Sequence, residues 1–237
     1  MAERESSSPF RLTAVTSPAF LAIALLGWLL ALIAVLVSAT ALASAQAAFF
    51  SFPLAIRQAA PAGSPVIQAN ISRHVLETWV PQVTYLGLGL GLLAIVMALA
   101  AVDRHLRRTG EVMTRDLPPA LRPTPPPVPK TALASQILAL LGVLILAGLL
   151  VYGAVLATSV VPAYYSHSPA EQSAAAPGSA LLAQQATLDT FNAYLAPLRL
   201  LATGLLALGI ILALVVIVGT QRWQADTLNR LRRQIVR

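Results

Sequence analysis

Cysteine is absent from all 237 residues. Disulfides, thiolate metal sites, iron–sulfur clusters and thioether-linked haem are therefore excluded. Charge is nearly as scarce: 11% of the residues are Asp, Glu, Lys or Arg, against about 25% in an ordinary soluble domain. Only 9 residues are acidic, and none falls midway along an apolar run. Ion and proton paths across a bilayer place ionisable groups at that depth. Their lack argues against a pump or an ion-coupled transporter. The histidines are His74, His105 and His167. None lies inside an apolar run, so a haem buried between spans would find no imidazole there.

What remains is apolar. The chain is 57% hydrophobic, with a mean hydropathy of +0.74. Four runs, over residues 19–45, 85–102, 132–161 and 198–220, approach or exceed the roughly 20 residues that cross a bilayer. The first exceeds the apolar stretch of about 7–15 residues in a secretion signal, and it has a counterpart in mid-chain, so it is expected to be retained.

That counterpart belongs to a repeat. A gapless shift of about 115 residues aligns the two halves. Ala24-Leu25-Leu26-Gly27 falls on Ala139-Leu140-Leu141-Gly142, and Phe49-Phe50-Ser51 falls on Tyr164-Tyr165-Ser166. Gly63-Ser64 falls on Gly178-Ser179, and Gly89-Leu90 on Gly204-Leu205. Matches among Ala and Leu carry little weight. The aromatic pair and the Gly-Ser pair lie in polar segments and obey the same shift, which points to internal duplication.

Basic residues set the expected topology. Arg4 and Arg11, then Arg104, Arg107, Arg108, Arg115, Arg122 and Lys130, then Arg222, Arg230, Arg232, Arg233 and Arg237 make 13 of the 16 Lys and Arg. All of these would share one side of a four-span protein, leaving Arg57, Arg73 and Arg199 towards the other. The excess of Lys and Arg on cytoplasmic loops then puts both termini in the cytoplasm. The repeats would run parallel, related by an axis along the membrane normal. The Ala- and Arg-rich composition suggests a bacterial cytoplasmic (inner) membrane.

The expected architecture is an all-α integral membrane protein with four transmembrane helices as two tandem hairpins, each carrying a small external helical cap. Residues 1–18 form a cytoplasmic segment and residues 19–108 the first repeat. Residues 109–131 form a cytoplasmic linker, with seven prolines between 117 and 130 that favour an extended chain. Residues 132–222 form the second repeat and 223–237 a basic tail. The first span has no proline between residues 20 and 52 and reads as one unbroken helix. In each external loop a Gly-Ser pair precedes helical spacing of apolar residues, over 65–80 and 180–195, with Ser64 and Ser179 as N-caps.

Candidate sites are few. His74 and Glu77 lie three apart, on one helix face, and with His167 they form a weak candidate metal set. Gly87 and Gly91 give a Gly-x-x-x-Gly face that lets helices approach closely in a membrane. Trp79 and Tyr194 occupy equivalent places where each external helix meets the bilayer. Phe49, Phe50, Tyr164 and Tyr165 suit an interfacial aromatic belt or packing against the neighbouring hairpin. Asn70-Ile71-Ser72 fits a glycosylation pattern of the kind that arises readily by chance.

These features lead to the expectation of a non-catalytic accessory subunit of a respiratory, photosynthetic or membrane oxidase or monooxygenase complex. Its interface would use Gly87, Gly91, Trp79, Tyr194, Phe49, Phe50, Tyr164 and Tyr165. No catalytic residue and no cofactor are expected. The expected partners are membrane lipids and other integral subunits, not nucleic acid. The competing expectation is a small transporter or channel with a path between the repeats, in which Arg199 would face the pore.

Overall fold

Ala- and Leu-rich runs bounded by Pro, Gly and Ser produce helices throughout the computed structural model, which describes residues 17–115 and 127–235. The N-terminal segment up to residue 16, most of the proline-rich linker and the last two residues lie outside the described residues. In chain order the helices are α1 (Ser17–Val37), α2 (Ala43–Phe50), α3 (Leu54–Ala59), α4 (Pro65–Arg115), α5 (Lys130–Thr158), α6 (Val160–Tyr165), α7 (Pro169–Ser173) and α8 (Ala180–Ile235). A π-helical turn, Ser38–Leu42, joins α1 to α2. Among the described residues there is no strand. Four segments are long and apolar enough to cross a membrane: Ala19–Phe50, Pro65–Val112, Lys130–Tyr165 and Ala180–Arg233. The chain is thus a multi-pass membrane protein by length and composition.

Local chemistry explains where the long helices start. Gly63 and Gly178 hold φ values of 77° and 78°, a left-handed conformation that glycine adopts without steric cost. The serine after each glycine caps a helix. Ser64 Oγ accepts from the Ile67 amide at 3.4 Å, and Ser179 Oγ accepts from the Leu182 amide at 3.4 Å. Pro65 occupies the first helical position, where its missing N–H costs nothing.

The helices beyond these caps differ from the sequence expectation. The segments over 65–80 and 180–195 are helical, but neither is a separate external element. Each runs unbroken into the following span through Pro81 or Pro197. A proline inside a helix removes one backbone hydrogen bond, and tertiary packing outweighs that loss here. Val66 and Ile67 bury against Phe49 and Ala60, while Leu188 buries against Val161 and Tyr164. At 51 residues, α4 is about 77 Å long at 1.5 Å per residue, far more than the roughly 30 Å hydrocarbon core.

The first span also departs from the unbroken helix that its lack of proline suggests. Hydroxyls that bond carbonyls one turn back can bend helices, and one sits at each of the two irregular turns. Thr40 Oγ1 donates to the Leu36 carbonyl at 2.7 Å. Ser159, which separates α5 from α6, donates its Oγ to the Val155 carbonyl at 2.6 Å.

The core comes from three of the four long helices. Val96 of α4, Ala139, Val143 and Leu146 of α5, and Ala202 and Leu206 of α8 form one buried cluster. Helix α1 contributes nothing to it. It packs along α4 and makes no comparable seam with α5 or α8. That seam depends on glycine: a Cβ on Gly27 would lie 2.5 Å from the Gly87 carbonyl oxygen, and one on Gly87 would lie 2.6 Å from that of Gly27. The α5–α8 seam has the same design, with a Cβ on Gly142 falling 2.7 Å from the Ala202 carbonyl oxygen. Gly27 to Gly142 and Gly87 to Ala202 are both steps of about 115 residues.

Candidate functional site

Polar chemistry collects in three places, all at the ends of the apolar bundle. At the end carrying the termini, α4 and α8 are latched by Asp103. Its Oδ1 accepts from Thr220 Oγ1 at 2.6 Å, and its Oδ2 accepts from Arg107 Nε at 2.9 Å. Arg107 also donates Nη2 to Thr220 Oγ1 at 3.2 Å. Asp103 and Thr220 are buried. One turn further, Gln224 donates to the Leu106 carbonyl at 2.6 Å, and Trp223 packs over Gly110. A pocket of about 320 Å³ opens beside this latch, with Arg104, Arg107 and Gln136 at its polar rim and Leu93, Met97 and Leu140 among its walls.

At the other end of the bundle, just beyond the two helix prolines, Arg199 of α8 donates Nε to Gln82 Oε1 of α4 at 3.3 Å. Its guanidinium carbon stands 4.6 Å above the Tyr85 ring. Gln82 is 1% exposed and spends one amide hydrogen on the Thr78 carbonyl at 3.3 Å. The Arg199 Nη2 is buried without a hydrogen-bond acceptor, and no acidic side chain pairs with Arg199 among the described residues.

The third cluster lies between the loops that join each hairpin. Arg57 of α3 and Arg73 of α4 both sit against Phe49 and Phe50, at 4.9–5.3 Å from the ring centroids. Arg73 Nε lies 3.4 Å from Glu77 Oε1, but it is not aligned to donate, so this contact is ionic rather than a formed hydrogen bond. Arg73 Nη2 is 2.7 Å from His74 Nε2. Arginine can only donate, so Nε2 accepts, and the ring proton of a neutral His74 belongs on Nδ1. That atom faces Glu77 Oε2 at 3.1 Å, and Gln46 donates to Glu77 Oε1 at 3.3 Å. On its flat face His74 stacks on Tyr165 of the second hairpin, with centroids 3.6 Å apart and planes 10° from parallel.

Comparisons with protein-family models, curated proteins and solved structures find no match.

The residues singled out from the sequence separate into groups. His74 and Glu77 meet, while His167 is drawn elsewhere, with its Nδ1 3.4 Å from Glu171 Oε2. Glu171 belongs to the capping box that starts α7. Among the described residues no group of three His, Asp or Glu side chains is placed to hold a metal ion. Phe49 and Tyr164 are buried and Phe50 is exposed, so in each aromatic pair the first ring serves the interior. Tyr194 is exposed and Trp79 half-buried. Gly87 is consumed by the seam with Gly27, whereas a Cβ on Gly91 would meet nothing within 4 Å. Asn70 is 4% exposed, which leaves no room for a glycan.

Two features escape a reading by motif: the Asp103–Arg107–Thr220 latch and the Gln82–Arg199–Tyr85 contact. Each joins α4 to α8 across more than a hundred residues. The available signal is their position, since Asp103 and Arg199 are the ionisable residues at the edges of the apolar runs.

Proposed function

We propose that this chain is a non-catalytic accessory subunit of a larger membrane complex of the respiratory, photosynthetic or membrane oxidase or monooxygenase type. It would sit in a bacterial inner membrane with both termini in the cytoplasm, and it would derive from a duplicated hairpin. The recurrence of the Gly-Ser caps and the glycine seams at one shift supports the duplication. The sequence grouping of 13 of the 16 Lys and Arg before the first apolar run, between the second and third, and after the fourth supports the orientation.

The observation that carries the functional reading is the isolation of α1. In its most apolar window 11% of residues are buried inside the chain, against 28% for the third and fourth spans. Leu25, Leu29 and Leu32 on this helix are 70%, 54% and 54% exposed. A helix held by one neighbour, with a bulky apolar face turned outward, offers a docking edge to another integral subunit. The competing transporter reading draws less support. Arg199 is engaged by Gln82 and Tyr85. Between the two polar ends the one buried polar side chain among the described residues is Ser135, whose hydroxyl donates to the Ala132 carbonyl of its own helix.

Mild solubilisation of the source membrane followed by native separation and protein mass spectrometry tests this reading. Stoichiometric co-migration with integral subunits of one complex is the expected result. A chain that runs alone, with no complex altered by its deletion, overturns it, and proteoliposome flux of wild type against Arg199→Ala then becomes the deciding assay.

A further inference from the structure

Seams within the bundle are made twice where the repeat applies, with one exception. Gly89 of α4 packs on α5, where a Cβ would fall 2.5 Å from Leu146 Cδ1. Shifted by about 115 residues, the counterparts are Gly204 of α8 and Ala31 of α1. A Cβ on Gly204 would meet nothing within 4 Å. The seam that α5 completes on one side of α4 is therefore missing between α1 and α8 on the other.

A groove of about 520 Å³ opens at that place, within the range of small-ligand sites. Ala24 and Trp28 of α1 form one wall, Leu88, Gly91 and Ile95 of α4 the floor, and Thr203 of α8 the opposite edge. Along α4 the lining extends from Tyr85 to Ala98, about 20 Å at 1.5 Å per residue. That exceeds one leaflet's share, about 15 Å, of a roughly 30 Å hydrocarbon core. The groove has the length and polarity of a lipid tail.

One cation lies next to its Tyr85 end, outside the lining itself. Tyr85, at the end of the groove nearer the loops, carries the Arg199 guanidinium on its ring. Thr203, on the edge of the groove, is one turn along α8 and donates Oγ1 to the Arg199 carbonyl at 2.9 Å. Arg199 has a neutral hydrogen-bond partner and a ring, but no acidic partner among the described residues. Its counterpart in the first repeat is Thr84 on α4, so the charge occurs on α8, the helix whose seam with α1 is missing, and not on α4, whose seam with α5 is made. A guanidinium at headgroup depth matches a phosphate in geometry and charge.

We propose that the groove binds an anionic phospholipid, with a tail along Leu88, Gly91 and Ile95 and its phosphodiester at Arg199. The lipid takes the place of the missing α1–α8 seam. This goes beyond the accessory-subunit reading and does not depend on it.

The test uses the full chain, purified and stripped of lipid in mild detergent. Phosphatidylglycerol or phosphatidylcholine is then titrated in, with bound lipid counted by native mass spectrometry. Both lipids carry a phosphodiester, but phosphatidylcholine adds a quaternary ammonium that Arg199 repels, so wild type is expected to prefer phosphatidylglycerol about tenfold, the scale of a like-charge contact near a protein surface. Arg199→Gln retains a donor for Gln82 and is expected to bind both lipids equally, whereas Arg199→Lys keeps the preference. Gly91→Leu, whose Cβ meets nothing within 4 Å, puts a side chain into the groove and is expected to lose both lipids. Equal binding by wild type, a preference that survives Arg199→Gln, or full binding by Gly91→Leu overturns the proposal. So does a partner helix seated in the groove of the native complex. Because the measurement is made on the isolated chain, a protein that migrates alone leaves this result untouched, and a lipid-free groove leaves the accessory reading untouched.

Discussion

Asp103 and Thr220 lie 117 residues apart in sequence and share a 2.6 Å hydrogen bond in a buried site. The same carboxylate holds Arg107 at 2.9 Å, so one acidic side chain ties the second span to the fourth. Removing one member of a buried charged pair leaves an uncompensated charge and costs about 3–5 kcal/mol. Removing the Thr220 hydroxyl deletes its bonds to Asp103 and Arg107 but leaves those two joined, which costs nearer ~2 kcal/mol. Asp103→Ala should therefore destabilise the detergent-solubilised chain by about 4 kcal/mol, and Thr220→Val by about 2 kcal/mol. Denaturant unfolding followed by circular dichroism reads both. Equal losses from the two variants would show that Asp103 is not the centre of the latch.

Two glycines four residues apart should behave oppositely. At Gly87 an added side chain collides with the Gly27 carbonyl oxygen at 2.6 Å and the Ala31 amide nitrogen at 2.8 Å. Backbone atoms cannot rotate aside, and overpacking of this kind costs about 1–3 kcal/mol or more. At Gly91 the same change meets open space. Gly87→Leu should lower the unfolding midpoint of the isolated chain, and Gly91→Leu should leave it within about 0.5 kcal/mol of wild type, the range of substitutions that touch no neighbour. Comparable losses at both positions would mean that Gly91 is packed after all.

The contrast between those glycines marks how far the sequence alone reaches. Span number, helical class and the Gly-Ser caps are legible because composition and short sequence patterns encode them locally. The Gly-x-x-x-Gly spacing is legible too, but it cannot say that a side chain at Gly87 would strike Gly27 while one at Gly91 would point into open space. That depends on which side of α4 the first helix takes. The continuity of α4 through Pro81 is hidden for a similar reason. Propensity ends a helix at proline, and only burial of Val66 and Ile67 beneath Phe49 shows that the helix is held from both sides. The Arg199–Gln82 contact requires two residues 117 apart to meet, which no local pattern contains.

Phe49 and Phe50 touch the same two arginines but should differ in weight. Phe49 is 7% exposed and Phe50 is 57% exposed. Truncating a buried phenylalanine costs about 3–5 kcal/mol, whereas an exposed cation–π contact contributes about 0.5–1 kcal/mol. Phe49→Ala should destabilise by about 3 kcal/mol, and Phe50→Ala by no more than about 1 kcal/mol. Thermal unfolding in detergent separates them. A larger loss at Phe50 would mean that the arginine contacts, rather than burial, hold this loop.

The two hairpins meet at the loop end where the His74 ring lies flat on Tyr165, 3.6 Å between centroids. His74 is fixed in the plane of its ring by Arg73 on one nitrogen and Glu77 on the other, so the stack joins a pre-oriented ring to the second hairpin. Aromatic pairs contribute about 0.5–1.5 kcal/mol beyond their buried area, and a double-mutant cycle isolates that coupling. The stack needs the tyrosine ring but not its hydroxyl, so Tyr165→Phe should keep the coupling to His74. In Tyr165→Leu it should fall to near zero. The cycle of His74→Ala with Tyr165→Leu, read by unfolding free energies, should return about 1 kcal/mol. Additive losses would show that the rings are neighbours without being coupled, and that the loops join the hairpins by other contacts.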